Sequence, residues 1–336
     1  MSKKGIFIVS LDFELNWGVH DVFTLGHYQE NIVGVRQAIP RMLELFNHFD
    51  IHATWATVGM LFFDNKKELL ANLPELHPSY ADAAFSPYDK LASLVGENEQ
   101  QDPLHFGASL IKEIMDYPNQ ELATHTFSHY YCLETGQTAA QFEADVQASV
   151  KVAKAIDQST KSMIFPRNQI NHDYLQICKV NGIQCFRGHE DSWVYQVGPF
   201  HNKGIIKRML RLADCYLPIF GDHTYSIDQV TTEPIVNLPS SRFLRPYHTS
   251  LKSLEPLRLR RIKKSITNAA KKGEIFHLWW HPHNFGKDIE SNLGFLTEIL
   301  IHVATMREQY GLTSLTMAEA STLALQGMDS HTIRSR

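Results

Sequence analysis

The sequence predicts an α/β fold in which a parallel sheet is covered by helices. Short apolar runs that are typical of buried strands alternate with helical stretches along the chain. Parallel strands require such alternation, because each crossover connection is long enough to hold a helix. The chain has 336 residues, of which 43% are hydrophobic, so it can bury a core as large as that of a barrel domain. Functional groups are then expected where the carboxyl ends of the strands gather.

The first part of the chain begins this alternation. Residues 6–9 and 53–58 are predicted as strands, and residues 31–49 as the helix between them. Residues 74–102 are punctuated by prolines and are predicted to form an insertion, which a helix leading to residue 117 follows.

The stretch 138–156 is predicted as a helix from its first residues and its apolar face. Thr138 and Gln141 have the spacing of a capping box, in which each side chain satisfies a backbone N–H of the other. Phe142 and Val146 fall on one face of the same helix.

The second half of the chain continues the pattern around one irregular region. Its predicted elements are strands at 162–165 and 183–187, a helix at 172–181, a helix marked by apolar residues over 293–303 and closed by Gly311, a short strand after it, and a last helix at 317–325. Residues 188–247 are irregular, and long inserts of this kind usually shape the binding end of α/β proteins. We therefore predict one domain over residues 1–327 and a flexible tail at 328–336.

Two carboxylates follow the first strand on alternate positions. Residues two apart on an extended strand point the same way, so Asp12 and Glu14 would share one face at the carboxyl end of that strand. Two acids on one face repel each other unless a cation or a proton lies between them. The segment predicts a metal site with an adjacent base, and a solvated strand end is the alternative.

Histidines provide candidate ligands for such a metal. Three pairs are spaced four residues apart, namely His48/His52, His125/His129 and His277/His281. The second pair follows a predicted strand, and if the chain turns helical there, both imidazoles lie on one face and can chelate a single ion. The first pair spans the end of a helix and the loop after it, where solvated histidines are more common.

The third histidine segment follows an apolar strand near residue 280. His277 lies inside the apolar run and is predicted as a core histidine. His281 and His283 flank Pro282 just after that run, so both are expected at a strand end. An acid pair, a histidine pair and a terminal histidine thus all occupy strand ends, which converge in parallel α/β folds.

Together these segments resemble the polysaccharide deacetylases, the NodB-homology group also called carbohydrate esterase family 4. The resemblance is carried by Asp12-Phe13-Glu14 for the first family motif, His125-Thr-Phe-Ser-His129 for the second, and Trp280-His281-Pro282 for the last. It implies a distorted (β/α) barrel of about seven strands, NodB-like, as one catalytic domain over 1–327 with insertions near 74–102 and 188–247.

The resemblance also implies a role for each matched residue. Glu14, His125 and His129 would bind a divalent metal, with Zn²⁺ the expected ion, since two imidazoles, a carboxylate and an open position for water are a common catalytic zinc set. Asp12 would be the general base, and His281 the general acid that protonates the departing amine. His283 stays open as the alternative acid.

The third family motif departs from the common pattern. Family members commonly have Arg-x-Pro-Tyr there, whereas here Arg167 follows Pro166. Arg167 could tether Asp12, bind a substrate carboxylate or phosphate, or be a plain surface arginine. Substrate contacts are expected from Asn168, Trp193, Trp280, His283 and Arg242.

Composition narrows the classes of partner. A net charge of −4 gives no sign of the excess of basic residues that is typical of nucleic-acid-binding proteins. No apolar run is long enough to span a bilayer. The amino terminus lacks the apolar core of a secretion signal, and the four cysteines are dispersed as reduced thiols usually are. We therefore expect a cytoplasmic protein with no nucleic-acid partner and no transmembrane segment, and a homo-oligomer stays open.

The function implied by the resemblance is metal-dependent amide hydrolysis. The enzyme would remove an N-acyl group, with N-acetyl the first expectation, from an amino sugar in a small molecule, a glycan or a glycan precursor. One alternative is hydrolysis of another C–N bond, such as a formamide on a lipid- or nucleotide-linked sugar or a ureide-like substrate. Another alternative is a glycan-binding barrel without catalysis.

Overall fold

The computed structural model describes residues 3–22, 25–198 and 204–334, and its strands form one parallel sheet. The nine strands are β1 (Ile6–Phe13), β2 (Ala53–Thr57), β3 (Gln120–Thr124), β4 (Ser162–Met163), β5 (Cys185–Gly188), β6 (Val236–Pro239), β7 (Arg242–Phe243), β8 (Ile275–Trp280) and β9 (Thr313–Leu315). Their order is β6-β5-β4-β3-β2-β1-β8-β7, with β9 beside β1. The ends of this path, β6 and β7, do not pair among the described residues, so the sheet is a curled, open barrel.

Strand β1 is the centre of the sheet and is buried along its whole length. It pairs with β8 from Ile6 to Leu11. On its other edge it pairs with β9 over Ile6–Ile8 and with β2 from Val9 onward. A strand that is covered on both faces reads as a nearly continuous apolar run, and this explains why the sequence reveals it so clearly.

Ten helices connect and cover the strands in the described parts of the chain. They are α1 (Leu25–Phe49), α2 (Lys66–Ala71), α3 (Leu91–Leu94), α4 (Ala108–Asp116), α5 (Ala139–Lys154), α6 (Leu175–Val180), α7 (Ile205–Asp214), α8 (Glu255–Lys272), α9 (Ile289–Tyr310) and α10 (Met317–Arg334). The capping box at Thr138 and Gln141 is present at the start of α5, as predicted. Gly311 ends α9 in a left-handed conformation with φ of 71°.

The two faces of the sheet have different surroundings. Phe7, Val9 and Leu11 of β1 pack in the main core with α1 and α9, on the outer face. The alternate residues Ile6 and Ile8 pack in a separate inner cluster with side chains of neighbouring strands. Because side chains alternate along a strand, Ser10 and Asp12 continue this inner face.

Successive side chains of β8 point to opposite faces of the sheet, and this contradicts one predicted substrate contact. Trp280 is fully buried in the outer core, where its ring stacks on Phe285 at 5.7 Å and lies 6.2 Å from Phe46. The prediction that Trp280 contacts substrate is therefore wrong. Its neighbour Trp279 points to the inner face instead, next to the polar groups of the site.

Two predicted regions are more regular than expected. Residues 188–247 contain α7, β6 and β7 in addition to irregular chain, and the described residues form nine strands where about seven were predicted. The last helix continues through Gly327 to Arg334, so the tail predicted to be flexible from residue 328 is helical that far.

No helix in the described chain has the length and apolarity needed to cross a membrane.

Candidate active site

Asp12 lies at the carboxyl end of β1 and forms a buried ion pair with Arg187 on β5. Arg187 Nη1 donates to Asp12 Oδ1 at 2.7 Å, and Nη2 donates to Oδ2 at 2.8 Å. Both side chains are almost completely shielded from solvent. The planar guanidinium matches the carboxylate with two parallel hydrogen bonds, so Arg187 fixes the orientation of Asp12.

Arg187 is itself held by three further groups inside the barrel. Its Nη1 donates to Ser10 Oγ at 3.1 Å, and its Nη2 donates to Asn168 Oδ1 at 2.9 Å. The guanidinium carbon lies 4.0 Å from the centre of the Trp279 ring. Ser10 Oγ also lies 2.8 Å from His277 Nε2, which confirms His277 as a buried, hydrogen-bonded core histidine. The inner face thus carries a rigid polar network.

This network keeps the Asp12 carboxyl ionised. Burial alone would raise the pKa of Asp12, but the Arg187 guanidinium and the nearby His281 outweigh burial and lower the pKa below its usual value. Asp12 is therefore a carboxylate at neutral pH, and its oxygens can accept a proton.

Glu14, two residues beyond Asp12, faces the predicted histidine pair. Its Oε2 lies 3.2 Å from His125 Nε2 and 3.0 Å from His129 Nε2. All three side chains are buried, and their candidate donor atoms lie within 4.8 Å of one another. The structure thus brings together a carboxylate and two imidazoles from β1 and from the segment after β3.

The hydrogen bonds of the two Nδ1 atoms determine whether the Nε2 atoms, which face Glu14, carry a proton. His125 Nδ1 lies 2.8 Å from the carbonyl of Ile164, which can only accept, so Nδ1 carries the proton. His129 Nδ1 donates to Tyr131 Oη at 3.2 Å, and that hydroxyl donates to Asp21. Burial lowers the pKa of His129 to about 4, so this ring is neutral at pH 7. In neutral rings both Nε2 atoms then present bare lone pairs to the carboxylate.

Such an arrangement could hold a cation. His125 Nε2 is buried and has no hydrogen-bond partner among the described residues, and the nearest polar atom that it faces is an oxygen of Glu14. Two imidazole lone pairs and a carboxylate oxygen repel one another unless a cation or a proton lies between them. The donor set of one oxygen and two nitrogens is the set that Zn²⁺ takes in catalytic sites.

The two histidines converge through a loop and not through a helix. Thr126 and His129 have positive φ values of 62° and 59°, which no helix contains. The backbone N–H of Phe127 donates to Asp145 on α5 at 2.6 Å, and the N–H and hydroxyl of Ser128 donate to the same carboxylate. The helical geometry assumed for this pair is therefore wrong, and Asp145 sets the shape of the loop instead.

Gly18 makes room for the Glu14 carboxylate. A Cβ atom on Gly18 would lie 2.0 Å from the carboxyl carbon of Glu14, a distance that no side chain could adopt. The short 3₁₀-helix Leu15–Gly18 begins right after Glu14 and folds the glycine against it. Glycine at this position is thus required for Glu14 to reach the histidines.

His281 and His283 lie on the opposite side of the two carboxylates. His281 Nε2 is 3.6 Å from Glu14 Oε1 and 3.7 Å from Asp12 Oδ2. Asn284 Nδ2 lies 3.5 Å from His281 Nδ1 and can donate to it, which leaves the Nε2 of a neutral ring protonated. His283 is nearly inaccessible, and burial together with His281 lowers its pKa to about 3.

Part of the chain matches a known protein family. Residues 31–186 match the family model described as polysaccharide deacetylase. The resemblance to the polysaccharide deacetylases is thereby confirmed. The match includes His125 and His129. A search of curated proteins finds no match to the sequence.

Solved structures share the fold of this deacetylase-like chain. A protein from Mycobacterium smegmatis assigned as a polysaccharide deacetylase superposes with a TM-score of 0.61 at 12% identity, over 98% of this chain and 92% of that one. One from Pseudomonas aeruginosa PAO1, assigned likewise, gives 0.53 at 10% identity, over 92% and 87%. PuuE allantoinase gives 0.53 at 10% identity, over 94% and 89%. At this identity the likeness concerns the fold alone.

Of the three roles left open for Arg167, the structure contradicts the tether of Asp12. Arg167 Nη2 donates to Asp21 at 2.5 and 2.6 Å, and its guanidinium lies 4.2 Å from the Tyr131 ring. Arg167 therefore acts on the Asp21–Tyr131–His129 chain. The tether of Asp12 is Arg187, twenty residues further along.

The other predicted substrate contacts have mixed outcomes. Arg242 is buried and donates to the Asp214 carboxylate at 3.2 Å, so the prediction that it contacts substrate is wrong. His283 is also too buried to offer a free surface. Asn168 does reach the site, where its side-chain oxygen holds Arg187. Trp193 is exposed, and its ring lies 5.7 Å from Lys207 on α7, so a sugar contact there stays a prediction.

Several groups that shape the site were not singled out from the sequence. Arg187 is the most important, and a signal for it existed, because an arginine at the end of an apolar strand run needs a buried acid as partner. Tyr131, Asp21 and Asp145 carried no comparable signal, since ordinary loop and helix residues of these types are common. Their roles depend on contacts across 17 to 110 positions of the chain.

Proposed function

We propose that this protein is a zinc-dependent hydrolase that removes an N-acyl group, with N-acetyl the leading candidate, from an amino sugar in a glycan or a glycan precursor. The observation that carries the proposal is the convergence of Glu14 Oε2 with the Nε2 atoms of His125 and His129, at 3.2 and 3.0 Å, with all three side chains buried. The family match over residues 31–186 supports the glycan substrate class.

The residues fit a divalent ion at this position. Glu14, His125 and His129 would hold it, and bound Zn²⁺ supplies a Lewis acid that lowers the pKa of a water molecule and polarises a carbonyl. The hydrogen bonds to Ile164 and Tyr131 keep the two imidazoles in the tautomer that such binding requires. Burial lowers the pKa of His129 to about 4, so protons do not compete for its nitrogen at pH 7.

Asp12 is suited to be the general base. Its two hydrogen bonds from Arg187 hold the carboxylate beside Glu14 and keep it ionised. As the oxygen of a water molecule forms a bond to the amide carbonyl carbon, Asp12 accepts one proton of that water. Arg187 stays protonated throughout and acts as a positioning residue.

His281 is suited to be the general acid. Its side chain is 24% exposed, whereas that of His283 is 4% exposed, so only the former is accessible to a substrate. Its Nε2 faces the space beside Asp12, 3.7 Å from Oδ2. In its imidazolium form, His281 would donate the Nε2 proton to the departing nitrogen as the C–N bond breaks, so that the ring becomes neutral and the sugar leaves as a free amine.

The test measures metal content and hydrolysis together. Purified protein is assayed for zinc by elemental analysis and for acetate or formate release from acylated amino sugars, with and without a chelator. We expect close to one metal per chain and chelator-sensitive release. The variant Asp12→Asn should keep the metal and lose turnover, whereas His129→Ala should lose the metal and remain folded.

Three outcomes would contradict the proposal. Full metal occupancy in His129→Ala would remove this histidine from the ligand set. Loss of metal from Asp12→Asn would reassign Asp12 as a ligand. Binding of glycans by metal-free protein, without release of any acyl group by the metal-loaded form, would favour a barrel that binds glycans without catalysis.

A further inference from the structure

An apolar surface faces solvent on α7 (Ile205–Asp214) and on the loop that follows it. Ile205, Ile206 and Met209 are 73%, 71% and 66% exposed, and Leu217 and Ile219 of the loop are 56% and 47% exposed. We call these five residues the α7 surface. Single exposed apolar residues are common, but five within fifteen positions form a patch of the kind that marks an interaction site.

The helix is amphipathic, and its apolar side points outward. At about 100° per residue, Ile205, Ile206 and Met209 fall within one arc of about 100°. The basic residues Lys207 and Arg208 fall on the rest of the circumference, as does Arg211, and no acidic residue occurs between positions 204 and 213. An ordinary surface helix buries its apolar side, so this orientation needs an explanation.

Loose attachment does not explain the exposure, because the end of the helix is firmly anchored. Asp214 is completely buried and pairs with Arg242 on β7 at 3.2 Å and with Arg261 on α8 at 3.1 Å. Its Oδ1 also accepts the backbone N–H groups of Ile219 and Phe220, each at 3.0 Å. The fold therefore holds the α7 surface outward in a defined orientation.

Residues at the border of the surface add an interfacial character. Trp193 is 57% exposed and lies beside α7, with Lys207 Nζ 5.7 Å from its ring centre. An indole that is partly exposed next to a lysine is typical of protein segments at the boundary between lipid headgroups and acyl chains. Basic side chains around an apolar arc complement a surface that is both anionic and apolar.

We propose that the α7 surface docks on a bilayer containing anionic lipids. The aliphatic side chains would enter the region between headgroups and acyl chains, and Lys207, Arg208 and Arg211 would contact lipid phosphates. The surface follows β5 in the chain, and β5 carries Arg187 beside Asp12. Docking there would bring the carboxyl-end side of the barrel close to molecules presented at a membrane.

The test uses the full chain and vesicles of defined composition. Protein is mixed with phosphatidylcholine vesicles that either contain or lack phosphatidylglycerol, and binding is measured by co-sedimentation. We expect binding to the anionic vesicles that weakens as salt rises, because headgroup attraction is screened. Tryptophan emission should shift to the blue on binding, and this shift should be absent from Trp193→Phe. Of the other four tryptophans, Trp17, Trp55 and Trp280 are fully buried, and Trp279 packs against Arg187 on the inner face of the sheet.

A matched pair of variants tests the surface itself. Ile206→Glu places a carboxylate in the apolar arc and should weaken vesicle binding by about tenfold or more. Val180→Glu is the control, because Val180 is also 71% exposed but lies on α6. Arg208→Gln should weaken binding by about fivefold and reduce its salt dependence.

The result separates the possible occupants. No binding to anionic vesicles, or equal loss in Ile206→Glu and Val180→Glu, would overturn the proposal. A dimer in solution that Ile206→Glu converts to a monomer, without vesicle binding by the wild type, would assign the surface to a second copy of the chain and overturn it as well. Vesicle binding does not require hydrolysis, so failure to release acyl groups from soluble sugars would contradict the proposed function and leave this result intact.

Discussion

Replacing Arg187 with methionine would leave the Asp12 carboxylate buried without its counter-ion. Arg187 donates two hydrogen bonds to Asp12, one to Ser10 and one to Asn168, and its guanidinium is stacked on Trp279. Methionine fills part of the same volume and removes the charge and all four hydrogen bonds. The substitution therefore isolates the electrostatic role of Arg187 from its packing.

The expected cost follows from the burial of the pair. Removing one partner of a buried ion pair typically destabilises a protein by about 3–5 kcal/mol, because the remaining charge keeps its desolvation penalty. Asp12 can escape part of that penalty by taking up a proton. Burial is the largest influence on the pKa of Asp12 and acts upward, so without Arg187 the pKa should rise.

A rise in this pKa gives the stability a distinct pH dependence. In the wild type, the pKa of folded Asp12 lies below its unfolded value, so its contribution to stability is present above the unfolded pKa and is lost as pH falls through the folded one. In Arg187→Met the folded pKa should lie above the unfolded value, which reverses the sign. The stability deficit of the variant should therefore be smaller near pH 5 than near pH 8.

The assay combines urea unfolding at several pH values with the pH profile of kcat/KM. Arg187→Met should lose about 3–5 kcal/mol of unfolding free energy at pH 8 and shift the acid limb of the profile upward. Arg167→Met is the control, because it also breaks an arginine–carboxylate pair, in which Nη2 contacts both oxygens of Asp21, but it should leave the acid limb in place. The double variant Arg187→Met/Asp12→Asn should be more stable than Arg187→Met alone.

The reasoning would be refuted by a variant whose unfolding free energy stays within about 1 kcal/mol of the wild type and whose acid limb does not move, since a surface-like ion pair behaves in this way. Equal shifts of the acid limb in Arg187→Met and Arg167→Met would also refute it. In that case Asp12 would not be the group whose ionisation Arg187 controls.

Three further predictions concern groups around the site. Gly18→Ala should displace Glu14 and weaken the affinity for zinc, measured by competition with a chelator. Gly26→Ala is the control, because a Cβ there meets nothing within 4 Å, and equal affinities of the two variants would contradict the steric argument. Asp145→Asn should lower zinc affinity by about 10–100-fold, because it disturbs the loop that holds His129, and an unchanged affinity would show that the loop holds its shape alone. Burial lowers the pKa of His277 to about 3, so its contribution to stability is present above about pH 6.5 and is lost as pH falls toward 3. Between pH 7 and pH 5, His277→Gln should lose about 2 kcal/mol less unfolding free energy than the wild type. The same pH dependence of the unfolding free energy in both proteins would argue against this.

Most residues of the candidate site could be predicted from local sequence patterns. Asp12, Glu14, His125, His129 and His281 could be selected because each lies next to an apolar strand run, and the ends of parallel strands meet at one side of a sheet. The helical spacing argument for the histidine pair was wrong in its geometry, although both side chains do face Glu14. Arg187 was not identified from the sequence as the tether of Asp12, because which arginine reaches that carboxylate depends on strand order and not on distance along the chain.

Trp280 and Arg242 are two residues that local patterns wrongly predicted to contact substrate. Both have residue types that often contact sugars, and both follow or lie in segments near the site. The pleat turns Trp280 toward the helices, and Asp214 holds Arg242 inside the protein. A one-residue change of position along a strand reverses the face, so residue type near a motif does not decide exposure.

The sequence by itself determined the parallel α/β class, the capped helix α5 and the acids and imidazoles from which the site is built, because these follow from periodicity, capping chemistry and short motifs. Only the tertiary structure decided that Arg187 partners Asp12, that Gly18 admits Glu14, and that α7 points its apolar side outward. These features depend on pairings between residues far apart in the chain and on which face of an element meets the core. A single sequence records the residues of such pairings but not the order in which the fold brings them together.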